Sequence, residues 1–487
     1  MRGTGFSAGE RVGLTALACA GVLFVPPAAR AYEPATTHAG LTERAVEASR
    51  LHSVLARLGR PLGVLEPLRI GLDLVDRDQR RDLQARLDAL DPAGGYRPGP
   101  DGVAGAGHWV VAGAVLAKTP PERGANHFLD PANGKGLADD PGLSGFAHSV
   151  RLLFDGGTSV RSLAAGTAFA LDGKSALDWI ESPGNDLGVP VFFDNWEHAV
   201  SLAEPRERES ALVRALLALG GVMAVLEDAG QPAYVRNDFR GAFLQGNEGS
   251  AYEQFAADRY GRAGLPPAAA IVSRPDIASF FASTDGKGLA NRTQRRFFSE
   301  GTIPTDVSLE RDTKVADVAR RARESLVFPS PTLSRLLLRP AQRHHYLVLE
   351  GHRVLAYENR GTQVHFFFDD AVYADMARTL LPEIAGYAAG LLNHLLRASL
   401  ELSVAGNQAT TKVSVRLAGE VKQGGALRVF TEDGTGHRRE VPGVAATLAP
   451  GETITLDVPA GVKKLAAVLR GRDVGGPFVA AGEVTVP

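Results

Sequence analysis

The chain has 487 residues and carries 53 Lys and Arg against 55 Asp and Glu, which gives a formal charge of −2. This near balance, without a long basic run, argues against binding to nucleic acid or to an anionic membrane through electrostatics alone. Cys19 is the single cysteine, so the rest of the chain offers neither a disulfide nor a thiolate ligand. The length predicts two or three domains.

The first 31 residues have the pattern of a secretory signal peptide. Arg2 and Arg11 supply positive charge, an apolar region follows over residues 12–25, and Ala29-Arg30-Ala31 is a small-x-small cleavage site. The pattern predicts a secreted or periplasmic protein whose mature chain begins at Tyr32. No later stretch is predicted to be a transmembrane segment.

Hydrophobic periodicity divides the remaining sequence into a mainly helical part and a β part. Helices are predicted after residue 38, over Leu65 to Leu90, and from Pro205 to Asp228. A β-hairpin is predicted near residues 346–369, and a long helix follows it to Leu400. From residue 401 to 487 the period changes to two, with Gly, Asp and Pro between short alternating runs, which predicts an antiparallel β-sandwich.

The most informative stretch is GGVMAVLEDAGQPAYVRNDF, from Gly220 to Phe239. Its first half continues the predicted apolar helix, and Gly230 followed by Pro232 ends that helix. Asp228 therefore lies in the last helical turn, where a carboxylate opposes the negative end of the helix dipole. We expect a cation or hydrogen-bond donors to face Asp228.

This stretch and the segment NHFLDPANGKGL, from Asn126 to Leu137, resemble the motifs of zinc-dependent phospholipase C and the related single-strand nucleases. The resemblance implies a mainly α fold for residues 32–400 and a zinc cluster in a phosphodiester hydrolase. The family's central motif is His, three residues, Asp, five residues, His. This sequence keeps the Asp as Asp228, whereas Ala224 and Tyr234 stand at the two His positions.

Other family motifs are also partly kept. The resemblance implies metal ligation by the terminal amine and carbonyl of Tyr32, by His38, by His127, by Asp228, which would also be the catalytic carboxylate, and by Glu253. It also implies that metal ligands have been replaced at Lys118, Ala224, Tyr234 and Gly249. An ammonium cannot coordinate zinc without losing its proton. A three-metal hydrolytic centre is therefore not expected, and the cofactor prediction is zinc, one ion or none.

Loss of the metals would leave Asp228 and Glu253 as buried like charges, which costs several kcal/mol unless they are protonated or paired. Lys118 is predicted to lie within salt-bridge distance of Asp228 or Glu253, and Arg236 is a second candidate cation. The alternative is that Lys118 is a surface loop residue.

Three functions remain open from the sequence. The first is a catalytically impaired relative that retains the fold for binding or structural purposes. The second is an active phosphodiester hydrolase with one or two zincs, acting on phospholipid or another phosphodiester. The third is an extracellular interaction protein that acts through its β domain. Loss of half of the ligand side chains favours the first.

Overall fold

A computed structural model describes residues 34–74, 77–88, 90, 98–99, 101–119, 121–137, 174–238, 250–303, 307–308, 337–340, 345–360, 363–407, 410–444, 446–459 and 461–486. The predicted signal peptide, Tyr32 and Gly249 lie outside these residues. The predicted mixture of helices and antiparallel strands is confirmed in the described chain.

The described α-helices are distributed from the N-terminal region to residue 395. They are α1 (Ala39–Ala48), α2 (Leu51–Arg57), α3 (Arg77–Asp88), α4 (Ala106–Leu116), α5 (Ala176–Ile180), α6 (Val189–Ser201), α7 (Pro205–Asp228), α8 (Ala251–Tyr260), α9 (Ile277–Phe281), α10 (Leu289–Arg296) and α11 (Asp370–Leu395). Short 3-10 turns connect several of them, among them Pro121–His127 and Tyr234–Arg236.

The described strands form four antiparallel sheets. They are β1 (Pro67–Arg69), β2 (Val103–Gly105), β3 (Val307–Ser308), β4 (Leu337–Pro340), β5 (His345–Leu349), β6 (His352–Arg360), β7 (Gln363–Phe367), β8 (Ala398–Asn407), β9 (Thr410–Gly419), β10 (Gly425–Glu432), β11 (Arg438–Glu440), β12 (Ala446–Leu448), β13 (Thr453–Asp457), β14 (Lys464–Asp473) and β15 (Gly476–Thr485). β1 pairs with β2, β3 to β7 form a second sheet, and two further sheets follow residue 398.

Helix α7 is the central helix, and it has the bounds that the sequence predicts. By length and composition α7 could cross a membrane, and among the described helices it alone could do so, but 89% of its most apolar window is buried inside the fold. It packs against α4 and α6. At the crossing with α4 a Cβ on Gly220 would lie 1.8 Å from the carbonyl oxygen of Val110, and a Cβ on Gly113 would lie 2.0 Å from that of Leu217. Glycine at both positions lets the two backbones touch.

Two predicted elements differ from the structure. Among the described residues of the predicted helix from Leu65 to Leu90, the α-helix covers Arg77–Asp88 and a 3-10 turn covers Leu72–Leu74, because Pro67–Arg69 pairs with Val103–Gly105 as a short antiparallel ladder. The predicted hairpin near 346–369 is three strands of a five-stranded sheet. Its neighbours β3 and β4 lie within a part of the sequence that has no clear alternation.

The C-terminal sheets begin three residues earlier than predicted, because α11 ends at Leu395 and β8 starts at Ala398. One sheet has the order β13-β9-β8 and the other contains β11-β10-β14-β15 with β12 paired to β10. Side chains of both sheets share one apolar core, which includes Val413, Val415, Leu469 and Phe478. The opposite face of the larger sheet joins the core of the helical region through Phe430 and Val468.

Candidate functional site

Four of the residues that the sequence singles out meet in the interior of the helical region. Asp228 ends α7, Lys118 follows α4, His127 ends a 3-10 turn, and His38 immediately precedes α1. The helical core brings together segments that are about 100 to 190 residues apart in the chain. We call Lys118, His38, His127, Glu227 and Asp228 the buried charged cluster.

Asp228 is the centre of this cluster, and both of its carboxylate oxygens have partners. The ammonium Nζ of Lys118 donates to Oδ1 at 2.7 Å, and Nδ1 of His127 lies 2.6 Å from Oδ2. Nε2 of His38 lies 3.2 Å from Oδ1. The cation expected opposite the end of the helix dipole is therefore Lys118, and the predicted contact between Lys118 and Asp228 is confirmed.

Lys118 is part of the core rather than of a surface loop, because its side chain is only 3% exposed. Its Nζ lies 4.8 Å from the ring centroid of Tyr234, so the ammonium also has a cation–π contact. Tyr234 in turn stacks on Phe128 with 4.3 Å between ring centroids. Lys118 and Tyr234, two of the residues for which the resemblance implies a replaced ligand, thus contact one another beside Asp228.

Glu227 belongs to the cluster although no sequence motif pointed to it. Its Oε2 lies 2.5 Å from Nδ1 of His38, and the hydroxyl of Thr42 donates to Oε1 at 2.8 Å. All three side chains are fully buried. The available signal was a second carboxylate next to Asp228 at the end of an apolar helix, together with a Thr one turn after His38.

Glu253 has a local structural role. Its Oε2 accepts a hydrogen bond of 2.6 Å from the backbone N–H of Ser250, while the Ser250 hydroxyl accepts one from the backbone N–H of Glu253. This reciprocal pair is a capping box at the start of α8. The Ser-x-x-Glu spacing was present in the sequence, and it accounts for a Glu at this position without a metal.

Burial and partner charges set the protonation of the cluster. Burial and the Lys118 ammonium act against protonation of His38, but Asp228 and Glu227 outweigh them and raise its pKa. Burial lowers the pKa of His127 to about 4 despite its bond to Asp228. Burial opposes ionisation of Asp228, yet Lys118 and His38 outweigh it and hold its pKa well below the ordinary value. The cluster therefore has an ionised carboxylate paired with an ammonium.

Burial disfavours ionisation of the other acidic groups in and around the cluster. Burial raises the pKa of Glu227, although His38 and Thr42 act in the opposite direction. Burial also raises the pKa of Glu253 well above its usual value, against the attraction of Lys118. The pKa of the Tyr234 hydroxyl is raised well above its ordinary value by burial and by the neighbouring carboxylates. These raised pKa values reflect the cost of additional negative charge in the core beside Asp228.

The described part of this site does not fit a hydrolytic zinc cluster. An ammonium occupies Oδ1 of Asp228, an imidazole occupies Oδ2, and Ala224 has no donor atom. His127 Nε2 and the Tyr234 hydroxyl are buried and make no hydrogen bond within the described chain, but the Lys118 ammonium lies 4.8 Å from the centroid of the Tyr234 ring, and this positive charge opposes a metal ion beside it. Within the described ranges, no group of three or more His, Cys, Asp or Glu residues has an arrangement that could hold a metal ion.

Arg236, the second candidate cation, has partners other than the cluster carboxylates. Its guanidinium donates to the backbone carbonyls of Phe297 and Gln294 and lies over the ring of Phe298. Burial lowers its pKa to about 10. Arg236 therefore holds the segment before α8 against the end of α10.

Comparisons with protein-family models, with curated proteins and with solved structures find no match to this chain.

Proposed function

We propose that this chain is a secreted, catalytically impaired protein with a phospholipase C/nuclease-like helical domain and a C-terminal β-sandwich. The observation that carries the proposal is the 2.7 Å bond between the Lys118 ammonium and Asp228. In a zinc hydrolase the central carboxylate helps to hold metal, and the metal activates the attacking water. Here that carboxylate is neutralised by a cation that the chain itself provides.

The ammonium accounts for a stable site that lacks the full ligand set. A buried carboxylate without a partner would cost several kcal/mol, and Lys118 supplies the charge compensation that a metal would otherwise give. Glu253 remains because it caps α8, and His38 remains because it is bonded to Glu227. These contacts favour retention of the fold for binding or structural purposes over hydrolysis of phospholipid or another phosphodiester.

The contacts at the C-terminal sheets argue against a β domain that acts by itself. Arg208 of α7 donates to the carbonyl of Gly436 and to Glu432, and Arg438 of β11 donates to the carbonyl of Val200. These side chains are buried. These contacts support a C-terminal sandwich that packs against the helical domain and forms one unit with it.

The first test is metal content and hydrolysis, measured on protein that is secreted with its own signal and has Tyr32 as its first residue. We expect at most one zinc by elemental analysis. We also expect no Asp228-dependent hydrolysis of a chromogenic phosphodiester. Two or three tightly bound zincs that are lost in Asp228→Ala, together with hydrolysis that is lost in the same variant, would overturn the proposal.

A second test uses Lys118→Asp, which places another carboxylate beside Asp228 and removes the ammonium. If Lys118 substitutes for metal charge, the melting temperature of this variant will rise on addition of zinc, whereas the wild-type temperature will not change. Lys118→Asn is the matched control, because it removes the ammonium without adding a carboxylate. If zinc changes the melting temperature of all three proteins equally, Lys118 does not take the place of a metal charge.

A further inference from the structure

A cationic groove lies along the long helix α11, away from the buried charged cluster and with no residue in common with it. Its volume is about 700 Å3, and one wall is the extended segment 266–275, which we call the strap. The backbone N–H groups of Ala269 and Val272 donate to the carbonyls of Pro382 and Gly386 on α11. The groove lies wholly within residues 250–303 and 363–407, which are described without gaps.

Glycines on α11 fix the strap in place. A Cβ on Gly390 would lie 1.9 Å from the carbonyl oxygen of Val272, and a Cβ on Gly386 would lie 2.8 Å from that of Ala270. The strap therefore rests directly on the helix backbone. This packing gives the groove one firm wall and holds Arg274, at the end of the strap, in a defined position.

Four cations from separate segments line the groove: Arg274, Lys287, Arg292 and Arg378. Among the described residues, Glu383 is the one acidic side chain that lines this groove. The carboxylates that pair with these arginines are Asp285, Glu383 and Asp375, and they also bind Arg296 and Arg353. Three carboxylates thus pair with three of the four lining cations, and the ammonium of Lys287 is the excess positive charge of the groove.

Lys287 is the cation with a free head group. Its backbone N–H donates to Asp285 and its carbonyl accepts from the Tyr387 hydroxyl, so its main chain is held at the rim. Its side chain is exposed and makes no ion pair or hydrogen bond with another described residue. The paired arginines each retain further N–H groups, because a guanidinium has five donors and one carboxylate uses at most two.

We propose that this groove binds an oxyanion of the phosphate class, with Lys287 as the principal contact and Arg292 and Arg378 as supporting donors. Planar guanidinium groups suit tetrahedral oxyanions, and an ammonium adds a mobile point charge. Free phosphate and the phosphate of a lipid headgroup share this chemistry. The inference does not depend on the proposed function of the buried cluster.

The test measures binding of inorganic phosphate by phosphorus NMR line broadening and binding of phosphatidylcholine vesicles that contain phosphatidylglycerol by sedimentation. For whichever of the two ligands binds, Lys287→Glu is expected to weaken the affinity by about tenfold or more, because it replaces the attracting ammonium with a repelling carboxylate. A tenfold loss corresponds to about 1.4 kcal/mol of binding free energy. Lys287→Arg should retain affinity, and added salt should weaken binding to the wild type.

Lys463→Glu is the matched control, because Lys463 is also exposed and lies in the C-terminal sheets before β14. If free phosphate binds and Lys287→Glu weakens that binding, the ligand is a soluble phosphate. If only vesicles bind and Lys287→Glu weakens that binding, the ligand is a lipid headgroup. No binding in either arm, or equal losses in Lys287→Glu and Lys463→Glu, would overturn the inference. Melting temperatures of the variants separate loss of the site from loss of the fold.

Discussion

Asp228 is bonded through both of its oxygens, and the partner that carries a full positive charge is Lys118. The pair is buried, so neither group can replace its partner with bulk water. Removing one member of such a pair leaves an uncompensated charge, whereas removing both restores neutrality. This asymmetry makes the contribution of the pair measurable.

Lys118→Met should destabilise the protein by about 3 to 5 kcal/mol, because Met keeps much of the side-chain length but leaves Asp228 without its ammonium. The free energy of unfolding in urea is the measurement. Lys463→Met is the control, since that lysine is exposed and its replacement should change stability by less than about 0.5 kcal/mol.

The double variant Lys118→Met with Asp228→Asn should recover part of the loss, because it removes the unpaired charge as well as the pair. A single-variant cost below about 1 kcal/mol, or a double variant no more stable than the single one, would mean that the ion pair does not hold this part of the core together.

Glu300 should make stability depend on pH. Burial raises its pKa from 4.5 to about 7, and the charge of Asp238 adds to this, whereas hydrogen bonds from the backbone and from Tyr373 act in the opposite direction. The folded state therefore binds this proton more tightly than the unfolded state. The associated stability, up to about 3 kcal/mol, is present below pH 4.5 and is lost as the pH rises through 7.

Glu300→Gln keeps an acceptor for the backbone N–H of Tyr252 but cannot ionise. We expect the variant to be more stable than the wild type at pH 8 and to lose the step between about pH 4.5 and 7. Unfolding by urea across that range is the measurement. Glu420→Gln is the control, because Glu420 is exposed and its pair with Arg50 lies at the surface. Identical pH profiles for wild type and Glu300→Gln would contradict the assignment.

The crossing of α4 and α7 sets the position of both Lys118 and Asp228, because each residue lies at or just beyond the end of one of these helices. Alanine is favoured over glycine inside a helix by about 1 kcal/mol. At Gly220 a Cβ would instead lie 1.8 Å from a backbone oxygen of α4, and backbone atoms in a packed core cannot move aside cheaply.

Gly220→Ala is therefore expected to destabilise the protein by about 3 kcal/mol, because the clash outweighs helix propensity. Thermal and urea unfolding would measure the change. Gly434→Ala is the control, since a Cβ there would meet nothing within 4 Å. A Gly220→Ala variant at least as stable as the wild type would show that α4 and α7 can separate without cost.

The helical region and the C-terminal sheets are joined by buried charge as well as by apolar side chains. Arg438 donates to Glu432, to Glu483 at 2.5 Å and to the carbonyl of Val200 at 2.7 Å. Arg397, at the junction after α11, donates to Asp473 at 2.9 Å. These contacts predict that both regions unfold together.

Arg438→Met should lower the stability of the whole chain by about 3 kcal/mol, because it leaves Glu432 and Glu483 with fewer partners at a buried interface. The three tryptophans of the sequence, Trp109, Trp179 and Trp196, all precede the C-terminal sheets. Their fluorescence therefore reports unfolding of the helical region, and its midpoint should shift with the midpoint measured by circular dichroism.

Arg416→Met is the control for this coupling, since Arg416 lies on the exposed face of β9 and pairs with Glu401 at the surface. If Arg438→Met moves the circular dichroism transition but leaves the tryptophan transition in place, the two regions unfold independently.

Local sequence signals predicted some elements well and others poorly. The apolar run that ends in Asp228-Ala-Gly predicted α7 with its bounds, because helix periodicity and a Gly stop act over a few residues. The same periodicity failed between Leu65 and Arg77, since pairing of β1 with β2 across more than 30 residues outweighs local preference. It also missed β3, which pairs with β7 far along the chain, and the short strand β4, which pairs with the neighbouring strand β5.

By itself the sequence determined that Asp228 needs a positive partner, because a carboxylate at the buried end of a helix is costly without one. It also limited that partner to a few residues, with Lys118 first among them. The tertiary structure decided between Lys118 and Arg236 and added Glu227 and Thr42 to the cluster. Those decisions depend on distances between segments up to about 190 residues apart, which no local pattern encodes.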